Sequence, residues 1–272
     1  MTPVAVADIP NGATRLYIIV GDPIAQVKSP GGMTRGFAAR GQNAVLVPMH
    51  VAPADLPPLL AGTRLAKNLD GIIVTIPHKF ACAAHCTSLS PRAKFLGATN
   101  IIRRTPEGGW HGDMLDGLGF VAAIRTKGGE PQGKRALLAG AGGAGSAIAL
   151  GLIDAGVASL AIHDADATRR DALIARLKTY SRTPVTVGSD DPTGCDLVAN
   201  ATPAGMREGD AIPIDVSKLA PTAFAACVIT QPVPAPWLAA AAARGCATSN
   251  GVDMYQAEQA MMLDFLLGAR GT

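Results

Sequence analysis

Three groups of residues in this chain have the types and spacing to do chemistry. The first is Gly140-Ala141-Gly142-Gly143-Ala144-Gly145, a GxGxxG pattern directly after the apolar run Ala136 to Ala139 and directly before an apolar segment of helical length. In a strand-turn-helix setting the first glycine permits a tight turn, the second lets the backbone approach a pyrophosphate, and the third lets the helix pack on the strand. The phosphates would then rest on unpaired amides at the positive end of the helix. A second strand, Ser159 to His163, ends at Asp164, about 20 residues on, where a carboxylate meets the adenosine ribose of a dinucleotide. Arg169 and Arg170 follow and can reach back toward the same sugar.

A nicotinamide moves a hydride, so the protein must supply a group for the accompanying hydroxyl proton. Lys79 and Asp116 form the second group. Lys79 follows the apolar strand Gly71 to Ile76 and a Pro77-His78 turn, which puts it at the carboxyl end of a strand, the edge where open α/β sheets bind ligands. Asp116 lies near the junction to the glycine-motif half of the chain. A lysine beside a carboxylate in a cleft is a workable proton-transfer pair, because burial favours the neutral amine and the carboxylate favours the ammonium. Residue statistics alone would make them a surface lysine and a turn aspartate. The third group, His78, Cys82, His85 and Cys86, has the ligand types of a metal site but falls on one helix, and a single helix cannot wrap a tetrahedral ion. No metal is expected.

The elements that must position these groups alternate. Strands are expected at Leu16 to Gly21, at Val45 to Val47 before Pro48, and at Gly71 to Ile76, with helices at Pro30 to Arg40 and from Pro77 through Cys86. Asn100 to Arg104 reads as a strand leading into a tight turn. After the polar stretch Lys127 to Pro131 a fresh pattern begins at Arg135. Its expected helices are 144–155 and 167–180, its strands 136–139, 159–163, 185–187, 197–199 and 227–230, and a long helix runs from Val252 to Leu267. This alternation predicts an α/β protein with mostly parallel sheets, in two lobes. The apolar stretch Ala136 to Ile162 is broken by Asp154 and glycines and is not a membrane span. The opening MTPVAVADIP lacks the pattern of a secretory signal. The five cysteines, an odd number with no CxxC pair, point to reduced thiols and a cytoplasmic protein. A net charge of +3 without basic runs, with 4% aromatic residues, argues against nucleic acid as a partner.

Six blocks occur in order along the chain: Gly21-Asp22-Pro23-Ile24-Ala25 with Lys28-Ser29-Pro30; Val74-Thr75-Ile76-Pro77-His78-Lys79; Gly97-Ala98-Thr99-Asn100; Gly112-Asp113-Met114-Leu115-Asp116-Gly117; the glycine motif; and Asn200-Ala201-Thr202-Pro203-Ala204-Gly205. Together they resemble the shikimate and quinate dehydrogenases. The resemblance implies a catalytic Lys79–Asp116 pair, a hydroxyl contact from Asn100, and Ser29 and Thr75 in the substrate pocket. It also implies that the Asn200-Ala201-Thr202 turn lies near the nicotinamide, and that the C-terminal helix carries a substrate contact at Glu258, with Gln256 and Gln259 nearby. The implied fold is a substrate-binding lobe, residues 1–116 with 246–272, and a Rossmann dinucleotide-binding lobe, residues 117–245, with the active site between them. The implied activity is hydride transfer between NAD or NADP and a ring hydroxyl or ketone of shikimate, quinate or a related ring carboxylic acid, in a monomer or homodimer.

Several positions depart from that family's pattern. Val27 stands where a carboxylate-binding serine is usual, Leu115 for a threonine, Ile73 for an asparagine, Thr230 for a tyrosine and Glu258 for a glutamine. A family paralogue acting on an amino-substituted ring acid, or a dinucleotide-binding sensor without catalysis, are the competing readings. Retention of both Lys79 and Asp116 speaks against the sensor. Asp164 stands where NADP-dependent members carry an arginine, and the expected preference is therefore NAD.

Overall fold

The structure, a computed structural model, describes residues 10–207 and 209–268, so the segment read for a secretory signal lies almost wholly outside the described residues. By contact the chain divides into two compact units, Met1–Leu115 with Gln259–Thr272, and Asp116–Glu258.

The first unit is built on a six-stranded sheet. Its strands are β1 (Arg15–Gly21), β2 (Ala44–His50), β3 (Leu69–Val74), β4 (Ser88–Leu89), β5 (Ile101–Arg104) and β6 (Trp110–Asp113), in the order β2-β1-β3-β5-β6-β4. Between them run helices α1 (Ser29–Ala39), α2 (Leu56–Thr63), α3 (Lys79–His85) and α4 (Pro91–Leu96). β1 pairs with β2 and β3 in parallel, but β5 runs antiparallel to both β3 and β6. Mostly parallel pairing is as expected, with β4 also parallel to β6, and β5 is the exception. The link from β5 to β6 is a tight turn through Gly108, at φ +82°, too short for a crossover helix and suited only to antiparallel neighbours. β2 also continues through Pro48 rather than stopping before it. As an edge strand bonded only to β1, it tolerates a residue without an N–H. One apolar cluster joins Tyr17, Ile19, Met33 and Phe37 to Met262, Leu263 and Leu266.

The second unit opens with α5 (Asp116–Thr126) and holds a second six-stranded sheet. Its strands are β7 (Arg135–Ala139), β8 (Ser159–His163), β9 (Val185–Val187), β10 (Leu197–Asn200), β11 (Phe224–Cys227) and β12 (Ala247–Ser249). Helices α6 (Gly143–Asp154), α7 (Ala167–Tyr180) and α8 (Pro236–Ala243) connect them. All pairings are parallel and the order is β12-β11-β10-β7-β8-β9, the doubly wound arrangement in which the chain reverses direction beside its first strand. The long final helix, α9 (Gly251–Leu267), begins in this unit and continues into the first. The expected boundary at residue 246 moves accordingly, because Ala247–Ser249 pairs with β11 and lengthens the second sheet. Likewise Asp116, expected to close the first lobe, is the first residue of α5 and belongs to the second unit.

Candidate functional site

In the first unit the antiparallel strand decides the geometry. Because β5 runs against β3, the start of β5 lies beside the end of β3, and the end of β6 lies beside the start of β5, with Ile101 facing both Ile73 and Asp113. Three segments distant in sequence are thereby delivered to one sheet edge. The N–H of Val74 donates to the Asn100 carbonyl at 2.7 Å, the N–H of Thr99 to the Lys79 carbonyl at 2.9 Å, and the N–H of Asn100 to the Asp113 carbonyl at 3.0 Å. The side-chain oxygen of Asn100 accepts from the N–H of Leu115 at 2.8 Å. Lys79, Asn100 and Asp116 are all buried, an environment that charged and amide groups occupy only with partners.

Thr75 follows β3, its N–H donating to the Val20 carbonyl at 3.0 Å, and Gly21 at the end of β1 leaves room for its side chain. Ser29 is the buried first residue of α1, which follows β1. Val27 packs with Ile24 against the apolar cluster of this unit. The amide nitrogen of Gln259 donates to the Gly32 carbonyl at 2.7 Å and so ties α9 to α1. Gln256 is exposed while Glu258 is buried. Two residues turn a helix by about 200°, so these two cannot serve one face. Glu258 lies against α5 at Gly119, where a Cβ would come within 2.7 Å of the Glu258 Cβ.

The histidines and cysteines of α3 are occupied. The His78 Nε2 lies 2.8 Å from the Val51 carbonyl and the His85 Nε2 3.0 Å from that of Leu60. Burial pushes both the Cys82 and Cys86 thiols up to about 12, which leaves them protonated and inert. Among the described residues no group of three or more potential ligands gathers as a metal site.

In the second unit the strand order reverses between β7 and β10, and ligands of such sheets bind in the crevice at the carboxyl ends of those strands. The glycine motif leaves β7 and the Asn200 turn leaves β10. Gly140 has φ +104°, open to glycine without strain, and a side chain at Gly145 would collide with the Gly140 carbonyl. Gly142 differs from both: a Cβ there would meet no protein atom within 4 Å. It precedes α6 and caps it with no side chain, so the cradle a Cβ would fill faces unpaired amides and fits a pyrophosphate. Gly143, Ala144 and Gly145 form the first turn of α6.

Asp164 is buried and fully engaged. One oxygen accepts from the Ala141 N–H at 2.6 Å and the other from the Asp166 N–H at 2.8 Å. The Arg169 guanidinium grips both, at 2.6 and 3.2 Å. Burial alone would raise the carboxyl, but the guanidinium and the two N–H groups outweigh it and hold it below the usual carboxylate range. Asp164 thus links the glycine turn to α7 and stays anionic.

The Asn200 side chain shapes the opposite wall. Its oxygen accepts from the Thr202 N–H at 2.9 Å and hydroxyl at 2.7 Å, and its nitrogen donates to the Ala204 carbonyl at 3.3 Å. Ala201 packs on Gly140, and its N–H donates to the Ala139 carbonyl at 2.8 Å. Two participants were missed in the sequence. Asp210 accepts from the N–H groups of Gly205 and Arg207, a side-chain-capped turn that its Gly-Asp spelling could have signalled. The Cys227 sulfur, 3.7 Å from the Asn200 nitrogen, had no sequence signal, since the contact joins neighbouring strands.

Residues 19–102 match the family model described as the shikimate dehydrogenase substrate binding domain. The chain is 33% identical to the shikimate dehydrogenase (NADP(+)) of Rhodospirillum rubrum over 90% of its own length and 88% of the relative's. Among solved structures it resembles the 5-ketofructose reductase of Gluconobacter sp. strain CHM43, with 28% identity and a TM-score of 0.81 over 94% and 93% of the two chains. It also resembles the quinate dehydrogenase of Corynebacterium glutamicum in complex with NAD, with 26% identity and a TM-score of 0.82 over 94% of each chain. With a third of its residues shared across nine-tenths of its length, this chain belongs to the shikimate dehydrogenase family.

Proposed function

We propose that this protein is an oxidoreductase that moves a hydride between a nicotinamide cofactor and a ring hydroxyl or ketone of shikimate, quinate or a closely related cyclohexane or cyclohexene carboxylate. The observation that carries the reading is the hydrogen-bonded edge that gathers Lys79, Asn100 and Leu115, the residue covalently joined to Asp116. The nicotinamide, when bound, supplies the hydride chemistry. Lys79 takes or returns the hydroxyl proton, with Asp116 as its charged partner. Asn100 orients the reacting hydroxyl, while Ser29, Thr75 and Glu258 contact the other ring substituents. The glycine motif and the Asn200-Ala201-Thr202 turn hold the dinucleotide. Five unpaired thiols support a reducing, cytoplasmic setting.

The proposed cofactor is NAD, on the anionic Asp164 at the ribose end of the site, although NADP(+) appears in the names of curated relatives such as that of Rhodospirillum rubrum. The solved quinate dehydrogenase holds NAD, so both cofactors occur in this family. The Asp164–Arg169 pair is the chain's own argument for NAD. Its carboxylate puts a negative charge at the ribose end that opposes a 2′-phosphate, and contact with the ribose hydroxyls would require Arg169 to yield its place.

One observation favours a second reading. Val27, where a hydroxyl would hold a carboxylate, is built into the apolar cluster, and the likeness to a 5-ketofructose reductase supports an uncharged polyhydroxy ketone as substrate. Absorbance of the reduced nicotinamide, followed with shikimate, quinate, an amino-substituted ring acid and 5-ketofructose against both cofactors, separates the readings. Turnover of a ring acid supports the first and turnover of the keto sugar alone the second. Cofactor binding without any turnover would overturn both.

A further inference from the structure

We infer that Cys227 is a positioning residue whose sulfur, as a hydrogen-bond acceptor, holds the Asn200 turn in the shape that receives the dinucleotide. This rests on the assignment of that turn to the cofactor site.

Asn200 and Cys227 are the last residues of β10 and β11 and face each other in the parallel register. Both are buried, Asn200 completely and Cys227 to 1% exposure. The Asn200 amide has two donor hydrogens and two acceptor positions. Thr202 takes both acceptor positions and thereby fixes which way the amide points. Ala204 takes one hydrogen at 3.3 Å, and the Cys227 sulfur at 3.7 Å takes the second. The same sulfur receives the Ile229 N–H at 3.5 Å, so it also pins the chain as it leaves β11. Burial pushes the thiol up, so sulfur meets these donors as a neutral thiol.

No other residue of β11 can do this. Ala225 and Ala226 carry no acceptor, and side chains alternate along a strand, so only the register partner of Asn200 is in reach. Without the sulfur, one amide hydrogen is left buried and unpaired, which favours rotation of the side chain away from Thr202 and Ala204. The turn those bonds shape packs against Gly140 and forms one wall of the crevice at the switch point. The effect expected of Cys227 is therefore on dinucleotide affinity more than on the chemical step.

Three substitutions separate an acceptor from a filler of space. Cys227→Val keeps the volume without an acceptor, Cys227→Ser keeps an acceptor in a slightly smaller volume, and Cys227→Ala keeps neither. The dissociation constants of NAD and NADP, read by titrating protein fluorescence without substrate, should rise about five- to tenfold in the valine and alanine variants, the worth of one buried hydrogen bond. The serine variant should bind within error of the wild type. Substrate KM should not change in any of the three, and thermal midpoints should fall most in the alanine variant, which loses both volume and acceptor. A valine variant that binds like the wild type, or a serine variant as weak as alanine, would overturn the inference and leave Cys227 a packing residue. Because binding is read without turnover, failure of the proposed substrate assignment leaves this test intact.

Discussion

The side-chain oxygen of Asn100 receives the backbone N–H of Leu115 across two strands, at 2.8 Å and with both residues buried. The residue immediately before Asp116 is thereby fixed to the sheet edge from which Lys79 departs. Asn100→Ala is expected to orphan that N–H and cost about 1–3 kcal/mol of stability. The rate should fall as well, since Asp116 loses its anchor. Denaturant unfolding beside steady-state kinetics checks this, and unchanged values in both would dismiss the link.

Lys79→Ala should lower kcat by about two to four orders of magnitude, the usual contribution of general acid–base catalysis. Dinucleotide affinity should stay the same, because Lys79 belongs to the first unit and the glycine motif to the second. Near wild-type turnover would remove Lys79 from the mechanism.

Asp164→Ser should shift the cofactor preference from NAD toward NADP. At about 4 Å and an effective dielectric near 20, like unit charges repel by roughly 4 kcal/mol. A third of that is about tenfold in affinity. The substitution also releases Arg169 from the grip it now exerts on the carboxylate and leaves it available to a 2′-phosphate. The ratio of kcat/KM for the two cofactors, before and after, is the measurement. Equal or better use of NADP by the wild type would refute the NAD assignment.

Asp113 should make stability depend on pH on the acid side. Burial would raise its carboxyl, but bonds from Arg92, Ser90 and the Met114 N–H outweigh burial and hold it low. A carboxyl lowered by folding binds fewer protons in the native state, so its contribution is complete above the ordinary carboxylate range and is lost as pH falls through the lowered value. Asp113→Asn should therefore be destabilised by about 1–3 kcal/mol at neutral pH. The gap from wild type should persist to about pH 5 and close below about pH 4. A gap independent of pH would mean that charge plays no part.

Val27→Ser tests the substrate. If a ring carboxylate occupies the pocket, the restored hydroxyl should improve kcat/KM for it by about ten- to a hundredfold, the range for a hydrogen bond to a charged group. No gain, with activity on the keto sugar retained, would favour the uncharged substrate.

How legible the site was depended on the reach of each contact. The glycine motif and the Asp164–Arg169 pair were readable, because a tight turn and one helical turn set them within a few residues. Lys79 at a strand end was readable for the same reason. Asn100 and Leu115 meet only because β5 is antiparallel, and the short turn at Gly108 could have announced that reversal. The four carbonyls gathered by Arg104, from Thr63, Arg64, Ala66 and Leu69, span the end of α2, the turn after it and the start of β3, far back in the chain, and had no local trace. The exposure of Gln256 was visible in helical phase alone, once Glu258 was known to be the buried face.

The long final helix has a consequence for synthesis. Met262, Leu263 and Leu266 complete the apolar cluster that Tyr17 and Phe37 begin, whereas every residue of the second unit precedes Gln259. The first unit therefore cannot complete its core when its own opening strands are made, a departure from the usual order of N-terminal domain first. The opening strands wait for the last turns of α9 to cover that cluster. That interval exposes the nascent chain to chaperones and to aggregation, and a frameshift or early stop after residue 258 would leave the cofactor half intact while the half that carries Lys79 stayed unfinished.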